Sequence, residues 1–398
     1  MPSKTNRLSR FFKSWPSEGM GPFESFLCAA LFFVAPFEAY LVSTVGGVVK
    51  YVLLFAILLI LYKDVYTKRT VQLNWFVTFF VFWLAYKIVS IFWTIDLTIP
   101  LLHFASQLGM VGFLFVLSST DIGERQRSIV LGGYFWGSVA FCLLSLVFME
   151  PSGTYTQRFV LTLFGVQVDP NNAAASALPA FALGVYHCTR VKRMPTKCIY
   201  GVLAAIAAYV LLMTGSRGGM LAVAASAAVL VFFSTDLKLY QKAAVAVLLV
   251  VGCVFVLGLL PQDTYARLFQ DDYTDGSGRT ELWGVVWDAF LTNPIFGAGW
   301  GAATSLNEGM ATHNTFLSML CEQGMFGTFF FVAPIIYVAV VSFRSKNVLP
   351  IILLVCAIVP ALTIDAINKR FVWYGITLAL VYFGTIDGKR ASLERRGR

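Results

Sequence analysis

QDTYARLFQDDYTDGSGRTELW, Gln262 to Trp283, is a polar stretch inside a chain that is otherwise mostly apolar. It continues through NPIFGAGWGA, Asn293 to Ala302, and ATHNTFLSMLCEQG, which ends at Gly324. Apolar segments long enough to cross a bilayer flank it on both sides. The stretch carries Arg267, Arg279 and His313. A long polar loop with two arginines and a histidine, held at one membrane face, is where chemistry is expected. The remainder reads as the frame that holds it.

Composition supports that division. Of 398 residues, 58% are hydrophobic and only 13% are charged, whereas soluble domains carry about 25% charged residues. Lipid is the simplest solvent for such a chain. The seven cysteines sit in or beside apolar segments and show no CxxC spacing, so neither a disulfide framework nor a zinc site is expected. The basic N-terminus, MPSKTNRLSRFFKSW, has no apolar run and small-residue cleavage site directly behind it. It reads as a cytoplasmic leader to the first span.

Spanning helices need about 20 apolar residues. Twelve segments qualify, at about 23–42, 46–62, 74–93, 99–117, 128–148, 171–189, 198–213, 219–234, 243–261, 325–343, 348–365 and 371–386. With a cytoplasmic N-terminus, alternate loops should be rich in Lys and Arg. The cytoplasmic loops and tails then hold 22 basic residues, and the opposite face holds six: Arg158, Arg217, Arg267, Arg279, Lys369 and Arg370. This asymmetry supports the count, places both termini in the cytoplasm, and accounts for the net charge of +9 without a nucleic-acid partner. The expected fold is all-α: a polytopic membrane protein of about twelve helices with one large periplasmic loop that contains short interfacial helices. It divides into a nine-span region (1–261), a catalytic loop (262–324), and a three-span region with a basic tail (325–398).

Lys50 and Lys87 are the two basic residues left inside spans. Both lie near outer ends and are expected to snorkel outward. Glu38 and His103 also lie near that face. Paired charge is one reading of these residues; function is the other, because ionisable groups in a bilayer are costly.

Three further features lie on the outer side. Arg158 is in the loop after the fifth span. Asp169-Pro170-Asn171 reads as a helix entry: proline fixes its own backbone, and Asp or Asn can cap the first turn. TGSRGG, Thr214 to Gly219, is a tight turn whose glycines flank Arg217 and let a backbone approach a ligand.

Within the large loop, Leu282, Val285, Val286, Ala289 and Phe290 keep the spacing of an amphipathic helix, predicted at about 280–291. Trp283 and Trp287 suit a membrane interface. GAGWG, Gly297 to Gly301, follows no strand and fits no phosphate-binding loop. DDYTDGSG, Asp271 to Gly278, resembles a calcium loop only weakly and reads as a polar turn. Thr312 and Gly324 frame a predicted short helix, 313–323, with Thr312 as its cap. His313 would sit in the first turn, where the dipole disfavours imidazolium and free N–H groups favour an anion.

GSRGG (Gly215–Gly219), SGRTELW (Ser277–Trp283), NPIFGAGWGA and HNTFLSMLCEQGMFG (His313–Gly327), together with DPNNAAA (Asp169–Ala175), resemble the O-antigen ligase and polymerase superfamily. The resemblance implies a bacterial inner-membrane glycosyltransferase with a periplasmic active site and an undecaprenyl-diphosphate-linked glycan as donor. In its ligase branch the acceptor is a sugar of lipid A-core. It implies a catalytic histidine at His313 and diphosphate-binding arginines. Arg217 matches best, Arg279 and Arg267 are the loop candidates, and Arg158 shares their face. It implies a supporting aspartate at Asp365; Lys87, Lys50 and Asn314 are further supporting candidates. No cofactor or metal is expected, since guanidinium groups can hold a departing diphosphate. The alternatives are a polymerase, which differs only in its acceptor, and a transporter of lipid-linked sugars. A transporter predicts polar residues along a midplane path, whereas the charges here cluster at one face.

Overall fold

The computed structural model describes residues 19–66, 75–152, 158–233, 238–269 and 279–396. The polar turn Asp271–Gly278 and the basic leader lie outside the described residues. Helices dominate. In order they are α1 (Pro22–Val45, through one 3-10 turn), α2 (Val48–Tyr66), α3 (Trp75–Trp93), α4 (Thr98–Ser119) and α5 (Glu124–Phe148). After a small sheet come α6 (Pro170–Arg190), α7 (Met194–Met213), α8 (Arg217–Phe233) and α9 (Leu239–Gly258). The loop region holds α10 (Gln262–Phe269), α11 (Arg279–Thr292) and α12 (Ala302–Leu306), and α13 (Thr315–Arg344), α14 (Val348–Ala361) and α15 (Arg370–Arg396) close the chain.

Among the described residues, six helices are long and apolar enough to cross a membrane: α1, α3, α4, α5, α7 and α13. Shorter apolar helices lie at Arg217–Phe233, Leu239–Gly252, Val348–Ala361 and Arg370–Gly384. With α2 and α6, a helix lies over each of the twelve predicted segments. Large side chains point outward along these helices, among them Leu101 (73% exposed) and Phe255 (68%). That surface fits a lipid solvent.

Inside, close helix contacts use small residues, as expected where lipid supplies no hydrophobic drive between helices. A Cβ on Gly133 or Gly137 of α5 would fall 2.2 Å from the carbonyl oxygens of Ala29 or Phe33 on α1. Only glycine at this four-residue spacing allows the two backbones to meet. Elsewhere the core is aromatic: the rings of Trp83, Phe331 and Trp373 lie 5.3–5.8 Å apart. One end of the bundle is tied by Lys63–Glu24 (3.2 Å) and by Thr120 donating to Asp64 (2.7 Å). The candidate site occupies the other end.

One local feature differs from the sequence expectation, and a second bears out Gly324 as the expected end of a short helix. Between α5 and α6 runs a three-stranded antiparallel sheet, β1 (Met149–Pro151), β2 (Phe159–Leu163) and β3 (Val166–Gln167), with Met149 opposite Leu161 and Thr162 opposite Gln167. Its hairpin turns at Phe164-Gly165, both at positive φ, as a two-residue primed turn requires. These strands are too short to give an alternating pattern, so no strand was predicted.

The second is the break in α13 at Gly324 (φ 60°, ψ −167°). The NPIFGAGWG loop fits into it. Ala298 and Gly299 donate to the carbonyls of Cys321 and Glu322, and Met325 and Phe326 donate to those of Pro294 and Ile295. The backbone groups orphaned by the break are thereby satisfied. Gly297 and Gly324 are obligatory here, since a Cβ on either would lie 2.3–2.4 Å from the other segment's backbone. GAGWG is therefore a packing element.

Candidate functional site

Four chain segments meet at this end of the bundle: the helix entry at Asp169, the turn before α8, the residues before α13, and the loop after α14. Each is fixed by short-range chemistry. Asp169 caps α6, accepting from Asn171 N (2.9 Å) and Asn172 N (3.3 Å), with Pro170 in the first turn, as predicted. Asn171 Oδ1 then accepts from Arg158 Nη2 (2.8 Å) and Ser216 Oγ (2.9 Å), while Arg158 Nε donates to Thr214 O (2.8 Å). Arg158 is buried. It therefore joins the turn to the helix entry, besides bringing positive charge to the site.

The turn itself departs from expectation in one respect. Gly218 and Gly219, the two glycines that follow Arg217, have their open sides against protein. A Cβ on Gly218 would fall 2.1 Å from Thr363 Oγ1, and one on Gly219 would fall 2.9 Å from Ala174 Cβ. The glycines allow the loop after α14 and helix α6 to come close, and do not serve a ligand's approach. Arg217 is the first residue of α8.

Asn314, and not Thr312, caps α13: its Oδ1 accepts from Phe316 N and Leu317 N, both at 3.1 Å. His313 lies before the cap, in the left-handed region (φ 55°), and not in the first turn. The amide two residues beyond Asn314 is the geometric partner for a cap, which Thr312 cannot reach. Thr312 accepts instead from Asn314 N (3.3 Å) and is hydrogen-bonded to Ser318 Oγ (2.5 Å). Trp283 Nε1 donates to Thr312 O (2.8 Å), so α11 holds the histidine segment in place. Of α11's predicted apolar face, Val286 and Phe290 are buried, whereas Val285 is exposed.

The loop after α14 is clamped by Thr315, whose Oγ1 donates to Ile364 O and accepts from Ala366 N, both at 2.8 Å. Asp365 lies between these two points, and its Oδ2 accepts from Ser318 Oγ (3.3 Å). Arg279 Nη1 reaches Thr363 O at 3.4 Å. His313 and Asp365 are within electrostatic reach of each other, and Arg279, Arg158 and Asp169 also act on the imidazole.

The electrostatics follow. Burial lowers the pKa of His313 below 6.5, and the charge of Arg279 adds to this; Asp169 and Asp365 oppose it. The histidine is held neutral, but by burial and Arg279, not chiefly by a helix dipole. Burial raises the pKa of Asp365, opposed by Lys87, by the Ser318 hydrogen bond and by His313. A neutral imidazole beside a carboxylate and guanidinium groups can accept a proton while an anion is held nearby.

Lys87 does not snorkel. It is 1% exposed, 3.7 Å from Glu322, and its ammonium lies over the rings of Trp300 (4.7 Å) and Trp83 (5.3 Å). An inward carboxylate and two ring faces compensate its charge better than a stretch to the interface could. Lys50 is exposed at the start of α2, outside the cluster. Glu38 pairs with Arg370 at 3.2 Å. Arg267 lies in α10, and its side chain is outside the described residues. Sequence reasoning missed Asn171, Thr363 and Glu322. Asn171 had a signal in DPNN, where a capping Asp is followed by an amide; the other two had none.

The fold is that of a multi-pass helical membrane protein with a cationic, histidine-bearing site at one end. Residues 202–332 match the family model described as Wzy_C, O-Antigen ligase, in agreement with the resemblance found in the sequence. That segment includes Arg217, Arg279 and His313, and ends before Asp365. The chain is also similar to the teichuronic acid biosynthesis protein TuaE of Bacillus subtilis (strain 168), with 24% identity over 289 residues, 64% of this chain. The aligned region spans 58% of the length of that relative. These similarities support a membrane enzyme of the O-antigen ligase or polymerase type.

Proposed function

We propose that the protein is an inverting glycosyltransferase that moves a glycan from a polyprenyl diphosphate to a sugar hydroxyl at the periplasmic face of a bacterial inner membrane. The observation that carries this reading is the meeting of His313, Asp365, Arg279 and Arg158 at one end of the bundle, from four separate segments. Arg217 and Arg279 bind the diphosphate, with Arg267 as a further candidate and Arg158 bracing the turn. Their charge stabilises the leaving group. His313 removes the acceptor proton as the new bond forms, and Asp365 supports the resulting imidazolium. Displacement in one step at the anomeric carbon inverts its configuration.

For the acceptor, lipid A-core is the first reading, giving an O-antigen ligase that needs no metal. A second lipid-linked glycan is the other reading, giving a polymerase. Similarity to a protein named for teichuronic acid biosynthesis favours keeping the second, since that name specifies a different product. The test supplies purified protein with undecaprenyl-diphosphate-linked glycan and either rough lipopolysaccharide or a second lipid-linked glycan. Extension of the first defines a ligase and of the second a polymerase. Extension of neither refutes the transferase reading.

A further inference from the structure

Beside the His313 cluster lies a small cavity of about 80 Å³, lined by Lys87, His103, Trp300, Thr304, Glu322, Asp365 and Asn368 among others. It is not the arginine compartment. The loop after α14 separates the two and contributes to both. Thr363 faces Arg279 and Gly218, Asp365 is tied to Ser318 beside His313, and Asn368 lines the cavity. Ser318 and Asp365 both line it, and Asp365 lies within electrostatic reach of His313, so the cavity adjoins the carboxylate that would support the base. The order along this loop is cationic compartment, base, polar cavity. A displacement at an anomeric carbon needs leaving group and nucleophile on opposite sides of the reacting atom, with the base within reach of the nucleophile's proton, and separate compartments for cation and acceptor allow that.

The lining is suited to hydroxyl groups. His103, Thr304, Asn368 and Asp365 offer hydrogen-bond donors and acceptors from two helices and a loop. Gln107 Nε2 donates to Asn368 Oδ1 (2.5 Å), which leaves the Asn368 amide N–H groups as donors. Lys87 pairs with Glu322 (3.7 Å) and also attracts Asp365, so the lining does not call for an anionic ligand. Trp300 is not a stacking platform, because Lys87 lies over its ring and Phe104 stacks on it at 6.3 Å. A water occupies about 30 Å³ of liquid, so the space suits two or three waters. Sugar hydroxyls could replace such waters, provided they reproduce their hydrogen bonds.

We propose that this cavity is the acceptor subsite, taking the hydroxyl-bearing edge of a pyranose ring and presenting one hydroxyl to His313. The proposal rests on the transferase reading above. Its test uses His103→Phe, Thr304→Val and Asn368→Ala, assayed with saturating lipid-linked donor against increasing amounts of whichever acceptor the wild type extends, rough lipopolysaccharide or the second lipid-linked glycan. Each lost hydrogen bond should raise the acceptor KM by about threefold to tenfold, with donor KM unchanged and kcat within about twofold. Arg217→Ala should do the reverse, raising donor KM and not acceptor KM. Unchanged acceptor KM in the two variants His103→Phe and Thr304→Val, both outside the Gln107 contact, overturns the subsite while leaving the transferase intact. So does an equal loss of donor and acceptor affinity in correctly folded protein. If the wild type extends neither acceptor, the transferase reading fails first and the subsite with it.

Discussion

Gly218→Ala separates local preference from site geometry, because the two predict opposite signs. Alanine is favoured over glycine inside a helix by about 1 kcal/mol, so propensity alone makes the variant neutral or stabilising. Geometry opposes this. The new Cβ would lie 2.1 Å from Thr363 Oγ1 and 2.7 Å from Thr363 Cβ, where ordinary contact begins near 3.4 Å. Rotating the threonine relieves the first clash but not the second, so the loop must retreat by about 0.7 Å, from the second distance. Asp365 lies two residues further on. Overpacking of this kind costs about 1–3 kcal/mol, and a misplacement near 1 Å at a reacting centre costs on the order of 10²-fold in rate. Gly218→Ala should therefore lose about 10- to 100-fold in glycan transfer, measured as initial rate in detergent, with the helical signal unchanged. Gly218→Ala/Thr363→Gly should recover most of it relative to Thr363→Gly alone. Near-normal turnover of the single variant, or no recovery in the double, would refute the claim that the turn positions the Asp365 loop.

Other outcomes follow from the same contacts. Arg158→Met removes charge-assisted bonds to Thr214 O and Asn171 Oδ1 from a buried position, at about 1.5–3 kcal/mol each; thermal unfolding should shift down by several degrees, and unchanged unfolding would show that Arg158 is not a brace. His313 should titrate below 6.5, so its neutral form persists to lower pH than in free histidine and the fold loses stability as pH falls below the unfolded value. With only three histidines in the chain, NMR can follow it; Arg279→Gln should move the midpoint up, and no movement would remove Arg279 as a cause. A cysteine at Ser305 should react with an impermeant thiol reagent from the periplasmic side. Labelling there only from the cytoplasmic side would invert the orientation.

What could be read in the sequence depended on how local each signal was. A helix stands over every apolar segment because about 20 apolar residues in a row have no other stable form in lipid. The cap at Asp169-Pro170 was legible because donor and acceptor lie within one turn, and α11 because its apolar spacing is local too. His313 was found as a residue but placed two residues too far into the helix, since Thr312 and Asn314 are both good caps and only the backbone decides between them. Lys87 was misread because its partner, Glu322, is far along the chain and its shield is two tryptophans from different segments. Thr363 carries no mark of its own, and Asn171 only its place in DPNN; each matters through what the fold brings against it. Short strands such as β3 leave no period to detect.

The central claim is that His313 acts as the base for glycan transfer, and His313→Gln tests it most directly. Glutamine keeps a hydrogen-bonding side chain but cannot serve as a base near neutral pH. General-base catalysis is worth about 10²–10⁴-fold. The variant should lose at least that lower bound in the rate of transfer to whichever acceptor the wild type extends, still bind the lipid-linked donor with wild-type affinity, and lose the acid limb of the pH–rate profile. Near-full activity, with a flat profile through the histidine range, would contradict the assignment.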